Sequence, residues 1–389
     1  MMGVIILIFG WIKMMVNPGP AEGTGIVVDT YGHPHIFYYK NNAIYHSFWN
    51  GGWYEEYVAP AASYHNSGPS VIIDSQNRIY LTYYNQNERL GYAWFDGTWH
   101  TETIDTTYRT GDYSSLKFDL TGKPCVAYYR YTGLFSGYLR YAYKSGNWII
   151  FENSSFSSGF HANLQINSQN IPCISHCSSW SGGDLYYSQF DGQNWIHETI
   201  VQNYASGYNS LVLDLQGIPN ICFYWANGSA NQFDLRFTQK EGNNWVIYVV
   251  DAGQQLFKRG WDCRMAMTNN GLMNIVYHAH NEELLKYARG DANSWTIQIL
   301  DTIGGYSAFT SITVQGNDVF MSYCKELQNN SVWIVSTRDF TKIEESKNSK
   351  LKYDETGIFD ITGRKGSIKT KGIYIIKERE KLKKILKIF

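Results

Sequence analysis

Between Arg259 and Arg264 the chain sets two guanidinium groups, the Trp261 indole and the Asp262 carboxylate within six positions. Charged and aromatic groups crowded in this way can grip a polar ligand, and this run is the strongest charged candidate for an anchor. Two other tryptophans, Trp180 and Trp225, stand in loop-like stretches rich in Ser, Gly and Asn. An exposed indole there would stack on a sugar ring through its apolar face and donate from its N–H. Tyr113, His161, Tyr208, Trp261 and Tyr306 each follow, or nearly follow, a glycine and form a further ring-bearing set. His278 and His280 are two residues apart, which on a strand puts both imidazoles on one face. No third ligand is spaced to make a metal site of them, so they read as a solvated pair. The GxSxG, HExxH and P-loop patterns are absent. Asp and Glu residues cannot be paired at glycosidase distance from sequence alone. No catalytic residue, metal or cofactor is therefore assigned.

These residues must be positioned by an internal repeat. Copies such as LKFDLTGKPCVAYY and LVLDLQGIPNICFY carry a polar anchor, Gly or Asn three residues later, and a strand ending in aromatics. The anchors are Asp29, Asp74, Asp119, Asn167, Asp214, Thr268 and Val314, spaced 45 to 54 residues apart. An Asx residue bonds the local backbone and Gly tolerates positive φ, so each anchor predicts a tight turn between two strands. A third strand reads Leu-x-Tyr-Ala, as in Leu90–Ala93, Leu139–Ala142 and Leu285–Ala288. A second turn leads to Trp53, Trp99, Trp148, Trp195, Trp245 or Trp295 and a fourth strand; Phe340 is expected to take that place in the seventh copy.

Four strands per unit at this period is the pattern of propeller blades. The expected fold is all-β: a seven-bladed β-propeller of four-stranded antiparallel blades over 24–345, with a small C-terminal β-appendage over 346–389. One blade cannot bury both faces, so the recurring tryptophans are expected between blades. First strands should line the axis. Ser70, Ser115, Asn163, Ser210, Arg264 and Thr310, each four residues before an anchor, should ring the channel and bind a ligand or hold water. The variable loops and the blade connections share the functional face.

Composition narrows the class. The chain has 389 residues, 16% aromatic, with 31 Tyr and 13 Trp, which suits strands over helices. A net charge of -1 argues against a nucleic-acid binder. From Glu345 onward there are 13 Lys/Arg against 6 Asp/Glu, so the tail is basic and the remainder acidic. The apolar run Val4 to Ile12, followed by small residues to Ala21, fits a leader over 1–23 and export; the alternative is a buried first strand. The run is too short to span a bilayer stably. Cys125, Cys173 and Cys222 recur at equivalent places in apolar strands, so the six cysteines read as buried free thiols, with no zinc spacing among them.

Ser188-Gln-Phe-Asp191-Gly192-Gln-Asn-Trp195 resembles the Asp-box of sialidase-like propellers built from bacterial neuraminidase repeats, one residue out of register. The likeness implies architecture more than activity. The Phe/Tyr-Arg-Ile-Pro motif of sialidases is absent, and nothing gathers Arg130, Arg236, Arg264 or Arg289 into an arginine triad. Phe359-Asp-Ile-Thr-Gly-Arg364, Lys371-Gly-Ile-Tyr-Ile-Ile376 and the basic run Lys383 to Lys387 resemble the end of a type IX secretion sorting domain. That resemblance implies a bacterial protein directed to the cell surface or beyond. The expectation is thus a secreted or cell-surface monomeric propeller that binds an extracellular glycan or protein. A glycan-active enzyme, hydrolase or lyase, and a structural surface protein are the alternatives.

Overall fold

A computed structural model of the chain describes residues 6–8, 10–62, 67–133, 136–179, 183–305, 308–342, 357–360, 372–378 and 381–388. They form two compact units, Met1–Thr341 and Lys342–Phe389. In the first, four-stranded antiparallel sheets follow one another along the chain. The first sheet is Glu22–Val28, Pro34–Lys40, Ala43–Trp49 and Trp53–Pro60; the second is Ser70–Ile73, Ile79–Tyr84, Leu90–Phe95 and Trp99–Thr103. The third is Thr110–Phe118, Pro124–Tyr131, Gly137–Ser145 and Asn147–Asn153. The long strand Trp195–Leu213 then serves two sets. It is the outer strand for Phe160–Ile166, Pro172–Cys177 and Gly183–Phe190, and the inner strand for Pro219–Asn227, Gln232–Glu241 and Asn244–Asp251. Trp261–Met267, Met273–Ala279, Leu284–Gly290 and Trp295–Thr302 make the next sheet.

The Asp and Asn anchors make the expected turns, whereas Val314 lies within the strand Ser311–Gln315 opposite Val319. Asp29 Oδ1 accepts the backbone N–H groups of Tyr31 and His33, Asp119 Oδ1 those of Thr121 and Lys123, and Asp214 Oδ1 those of Gln216 and Ile218. The third residue after the anchor is left-handed in each case: Gly32 at φ 91°, Gly122 at 80° and Gly217 at 81°. Asn77 and Asn170 take the same conformation without Gly, as Asn tolerates. Inner strands of successive sheets lie side by side, and the strand Ser311–Gln315 returns to Glu22–Val28. Ser311 Oγ accepts the Ile26 N–H at 3.2 Å, and Gln315 Nε2 donates to the Asp29 carbonyl at 2.7 Å.

The closing sheet pairs Ser311–Gln315, Asp318–Lys325 and Ser331–Ser336 with an outer strand from the other end of the chain, Trp11–Asn17, flanked by Ile6–Ile8. Met14 sits opposite Ile334 in this register. Residues 11–17, assigned above to a removable leader, are therefore blade structure; the buried-strand alternative is the one adopted.

The tryptophans explain the choice. Trp99 Nε1 donates to Glu56 at 2.8 Å, Trp148 to Glu102 at 2.6 Å and Trp245 to Glu198 at 2.9 Å. Each acceptor lies three residues after the tryptophan of the preceding sheet. Trp53 and Trp11 extend the series across the closure: Trp53 donates to Met14 Sδ at 3.1 Å, and Trp11 to Gln298 Oε1 at 2.8 Å. Trp11 also stands edge-on to Tyr287 at 4.9 Å, as Trp148 does to Tyr92 at 5.2 Å. So Trp11, not Phe340, holds the seventh tryptophan position. Phe340 follows the last strand and packs on Trp49 and Trp53.

All six cysteines are buried and free. The second unit is an antiparallel sheet of Gly357–Asp360, Gly372–Glu378 and Lys381–Ile388, with Phe359 opposite Ile375 and Tyr374 opposite Leu386.

Candidate functional site at the channel mouth

Inner strands begin irregularly. Register shifts fall between Asp112 and Ser115, Phe160 and Asn163, Ala205 and Asn209, and Trp261 and Arg264. Within these bulges Tyr113, His161 and Asp262 are left-handed, at φ 53°, 52° and 48°, and Phe309 is at 43°. Bulky residues occupy that region only when the surroundings impose it, at a cost of about 1–3 kcal/mol each, and such strain collects at functional sites. The glycines before them make the turn possible. A Cβ on Gly111 would lie 2.7 Å from Leu90 Cα, and one on Gly159 would lie 2.8 Å from Leu139 Cα.

The bulges bring four of the expected residues into one arc. Tyr113 and His161 have ring centroids 4.1 Å apart, His161 and Tyr208 4.8 Å, and Tyr208 and Trp261 5.6 Å. His280 extends the arc, 3.9 Å from Trp261. Its expected partner departs from the solvated pair: His278 is fully buried, and its Nε2–H donates to the Gly304 carbonyl at 3.0 Å. Among the described residues no group of three or more His, Cys, Asp or Glu converges on a metal position.

Below the arc lies a cavity of about 550 Å³ along the inner strands, lined by Tyr113, Lys117, His161, Asn163, Asp262 and Arg264 among others. The small polar residues of its wall are structural ties. Ser70 Oγ accepts the Leu116 N–H, Ser115 Oγ the Leu164 N–H and Ser210 Oγ the Met265 N–H, each from the next inner strand. The expected choice between ligand and water gives way here to a third role. Asp262 braces the mouth, with Oδ2 accepting the Phe309 N–H at 3.2 Å and its carbonyl accepting the Thr310 hydroxyl. Burial, and then the Arg264 charge, holds the His161 imidazole well below its ordinary range. It is neutral at pH 7, and its buried Nδ1 has no hydrogen-bond partner. Burial, and then the Asp262 carboxylate, pushes the Tyr208 phenol well above its usual range.

The other candidates lie elsewhere. Arg259 is paired with Asp251 at 3.3 Å and with Glu282, away from Arg264. Trp225 is covered by the Arg236 guanidinium, 3.7 Å from its ring, and neighbours Tyr204 at 5.0 Å. Trp225, expected in a loop, lies instead in the strand Pro219–Asn227 opposite Asp234, and that packing holds it on its own sheet. Trp180 and Tyr306 lie outside the described residues. Sequence reasoning missed Lys117, although a signal was available. Two residues before each anchor stand Val27, Ile72, Gln165, Val212, Ala266 and Ile312, and only the third copy puts a cation there.

No protein-family profile matches the chain, and no curated protein sequence matches it. Solved structures do. The virginiamycin B lyase of Staphylococcus aureus is similar at TM-score 0.56 and 10% identity, over 84% of this chain and 98% of that one. A polysaccharide lyase of family 25, an ulvan lyase bound to a GlcA–Rha3S saccharide, is similar at TM-score 0.55 and 12% identity, over 82% and 94%. A point mutant of the Aleuria aurantia lectin, in complex with Fucα1-6GlcNAc, is similar at TM-score 0.52 and 14% identity, over 73% and 98%. At these identities the likeness defines the fold alone. The chain is a β-propeller.

Proposed function

We propose that the chain is a seven-bladed β-propeller that binds an extracellular glycan at the mouth of its axial channel. The observation that carries this reading is the arc Tyr113–His161–Tyr208–Trp261, set on strained bulges above an open cavity. The half-buried rings of Tyr208 and Trp261 supply stacking surface for sugar rings, backed by the buried Tyr113 and His161, and the polar groups beside them supply orientation. The blade count rests on the cyclic order of inner strands and on the tryptophan series through Trp11. A lectin and a polysaccharide lyase among the similar folds agree with a carbohydrate ligand. Secretion or cell-surface display, by export and the type IX-like tail, completes the reading, with the propeller acting as a monomer. Any leader must leave Trp11–Asn17 in place.

A glycan array with the full chain tests the proposal. Tyr113→Ala and Trp261→Ala should each weaken binding about tenfold or more while thermal unfolding shows the ring intact; unchanged binding in both overturns the site. A second reading, a glycan lyase or hydrolase, is favoured by one detail. A neutral imidazole and a neutral phenol lie in contact beside Arg264, the kind of pair that can pass a proton at pH 7. Turnover of a bound glycan, lost in His161→Ala, would favour that reading over simple binding.

A further inference from the structure

We propose that the axial cavity binds an oxyanion, the carboxylate or sulfate of an acidic sugar, held by Arg264 and Lys117; this rests on reading the channel mouth as the ligand site. Several cations within the sheets have acidic partners: Arg140 meets Asp105 at 2.5 Å, Arg236 meets Asp234 at 2.8 Å and Lys325 meets Asp301 at 2.9 Å. Arg264 and Lys117 do not. Among the described residues the only side-chain hydrogen bond of Arg264 goes to the Cys263 carbonyl at 3.2 Å, and Lys117 forms no ion pair. Both line the cavity, and Asp262 is the one carboxylate among its lining residues. That carboxylate is braced on the Phe309 N–H.

Arg264 and Lys117 are half-buried, and a cation partly withdrawn from water without a counter-charge carries a desolvation cost that an anion in the cavity they share would offset. The rest of the wall leaves the position to them. The serines of the Arg264 layer are engaged by backbone N–H groups, and Gln165 of the Lys117 layer donates to the Leu211 carbonyl at 2.9 Å. His161 adds its unpartnered Nδ1 on the same wall. Two strand positions, roughly 7 Å, separate the layers of Arg264 and Lys117. An acidic group entering from the arc meets the guanidinium first, with its two-pronged fit to an oxyanion, and the ammonium deeper in.

The test is calorimetric titration of the full chain with glucuronate oligosaccharides, sulfated oligosaccharides, their neutral counterparts, and sodium glucuronate and sodium sulfate alone. Acidic probes should bind at least about tenfold tighter than neutral ones, and rising salt should weaken them. Arg264→Gln should remove that preference, Lys117→Met should reduce it several-fold, and Arg264→Lys should keep part of it. The carboxylate and sulfate arms identify which oxyanion is taken. Neutral glycans bound as tightly as acidic ones overturn this inference and leave the glycan reading standing. Simple glucuronate or sulfate bound through Arg264, with no oligosaccharide bound, does the reverse. Should Arg264→Gln fail to fold, Lys117→Met and the salt dependence decide: acidic binding indifferent to both overturns the proposal.

Discussion

Replacing Trp11 with alanine tests how the ring is closed. Trp11 is 5% exposed, stands edge-on to Tyr287 at 4.9 Å and donates to Gln298 at 2.8 Å. Truncating a buried tryptophan to alanine costs about 3–5 kcal/mol, since the transfer energy is lost and a cavity remains. The hydrogen bond to Gln298 accounts for about 0.5–1.5 kcal/mol of that. Trp148 has the equivalent edge-on partner and acceptor position but is only half-buried, so its truncation should cost less. A loss of this size is a large part of a typical folding free energy of about 5–15 kcal/mol. The assay is denaturant unfolding of the full chain, Trp11→Ala beside Trp148→Ala, with Gln298→Ala to complete a double-mutant cycle. Coupling between Trp11 and Gln298 of about 1 kcal/mol is expected. If Trp11→Ala unfolds at the wild-type midpoint, or if the mature protein isolated from its source begins beyond Asn17, the closure described here is refuted.

Three further outcomes follow from the buried ionic and imidazole groups. Asp301 joins Lys13 at 2.8 Å, Lys325 at 2.9 Å and the Tyr323 hydroxyl at 2.7 Å, so Asp301→Ala should destabilise by about 3–5 kcal/mol, as stranded buried charges do; a loss below about 1 kcal/mol in denaturant unfolding would argue against it. Tyr277→Phe removes only the hydroxyl that donates to Asp251 at 2.6 Å, and Lys286 remains on that carboxylate, so the loss should be about 1–2 kcal/mol by the same measurement. Burial drives the pKa of His46 and His278 down to about 4 and that of His176 to about 3, from an unfolded value near 6.5. Because the folded values are depressed, the stability these groups contribute is complete above pH 6.5 and drains away as pH falls toward 4. Each contributes a slope of at most about 1.4 kcal/mol per pH unit, so unfolding midpoints should drop across that window, and His278→Gln should flatten the fall; an unaltered slope would refute the role given to His278.

The repeat was legible because each unit writes its own turns. Asp29, Asp119 and Asp214 announce the Asx turn, and the Gly three residues later announces the left-handed position, all local chemistry that a sequence carries directly. The closing strand is written just as plainly, since Gly10-Trp11 repeats the Gly-Trp of Gly52-Trp53. It reads ambiguously because an apolar run at the start of a chain satisfies both a leader and a buried strand, and only pairing with Ser331–Ser336 separates the two. The arc from Tyr113 to Trp261 was legible for a similar reason: Tyr113, His161 and Tyr208 each stand six residues before their anchors and Trp261 seven before Thr268, and strands of one period bring like offsets to one level. Residues outside the repeated positions had no such constraint. Trp225 met Arg236 across a hairpin, Asp234 to Trp225 in register, a pairing that composition and loop length do not specify.

The periodic construction also gives a rule for separating support from function. Where all copies place like residues, the shared physics of packing is sufficient: the tryptophans and their acceptors three positions on, the serines that tie inner strands, the Asx anchors. A ring built only from such positions would have a uniform axis of small polar and aliphatic side chains. This axis is not uniform. Arg264 replaces a small polar residue in one layer and Lys117 an aliphatic or amide residue in the next, while His161 and Asp262 stand left-handed at the rim. Arg264 and Lys117 carry a desolvation cost that the small, aliphatic or amide residues of the other copies avoid, and His161 and Asp262, like Tyr113, carry backbone strain. Departures that cost stability and gather on one cavity are what the proposed ligand site would account for.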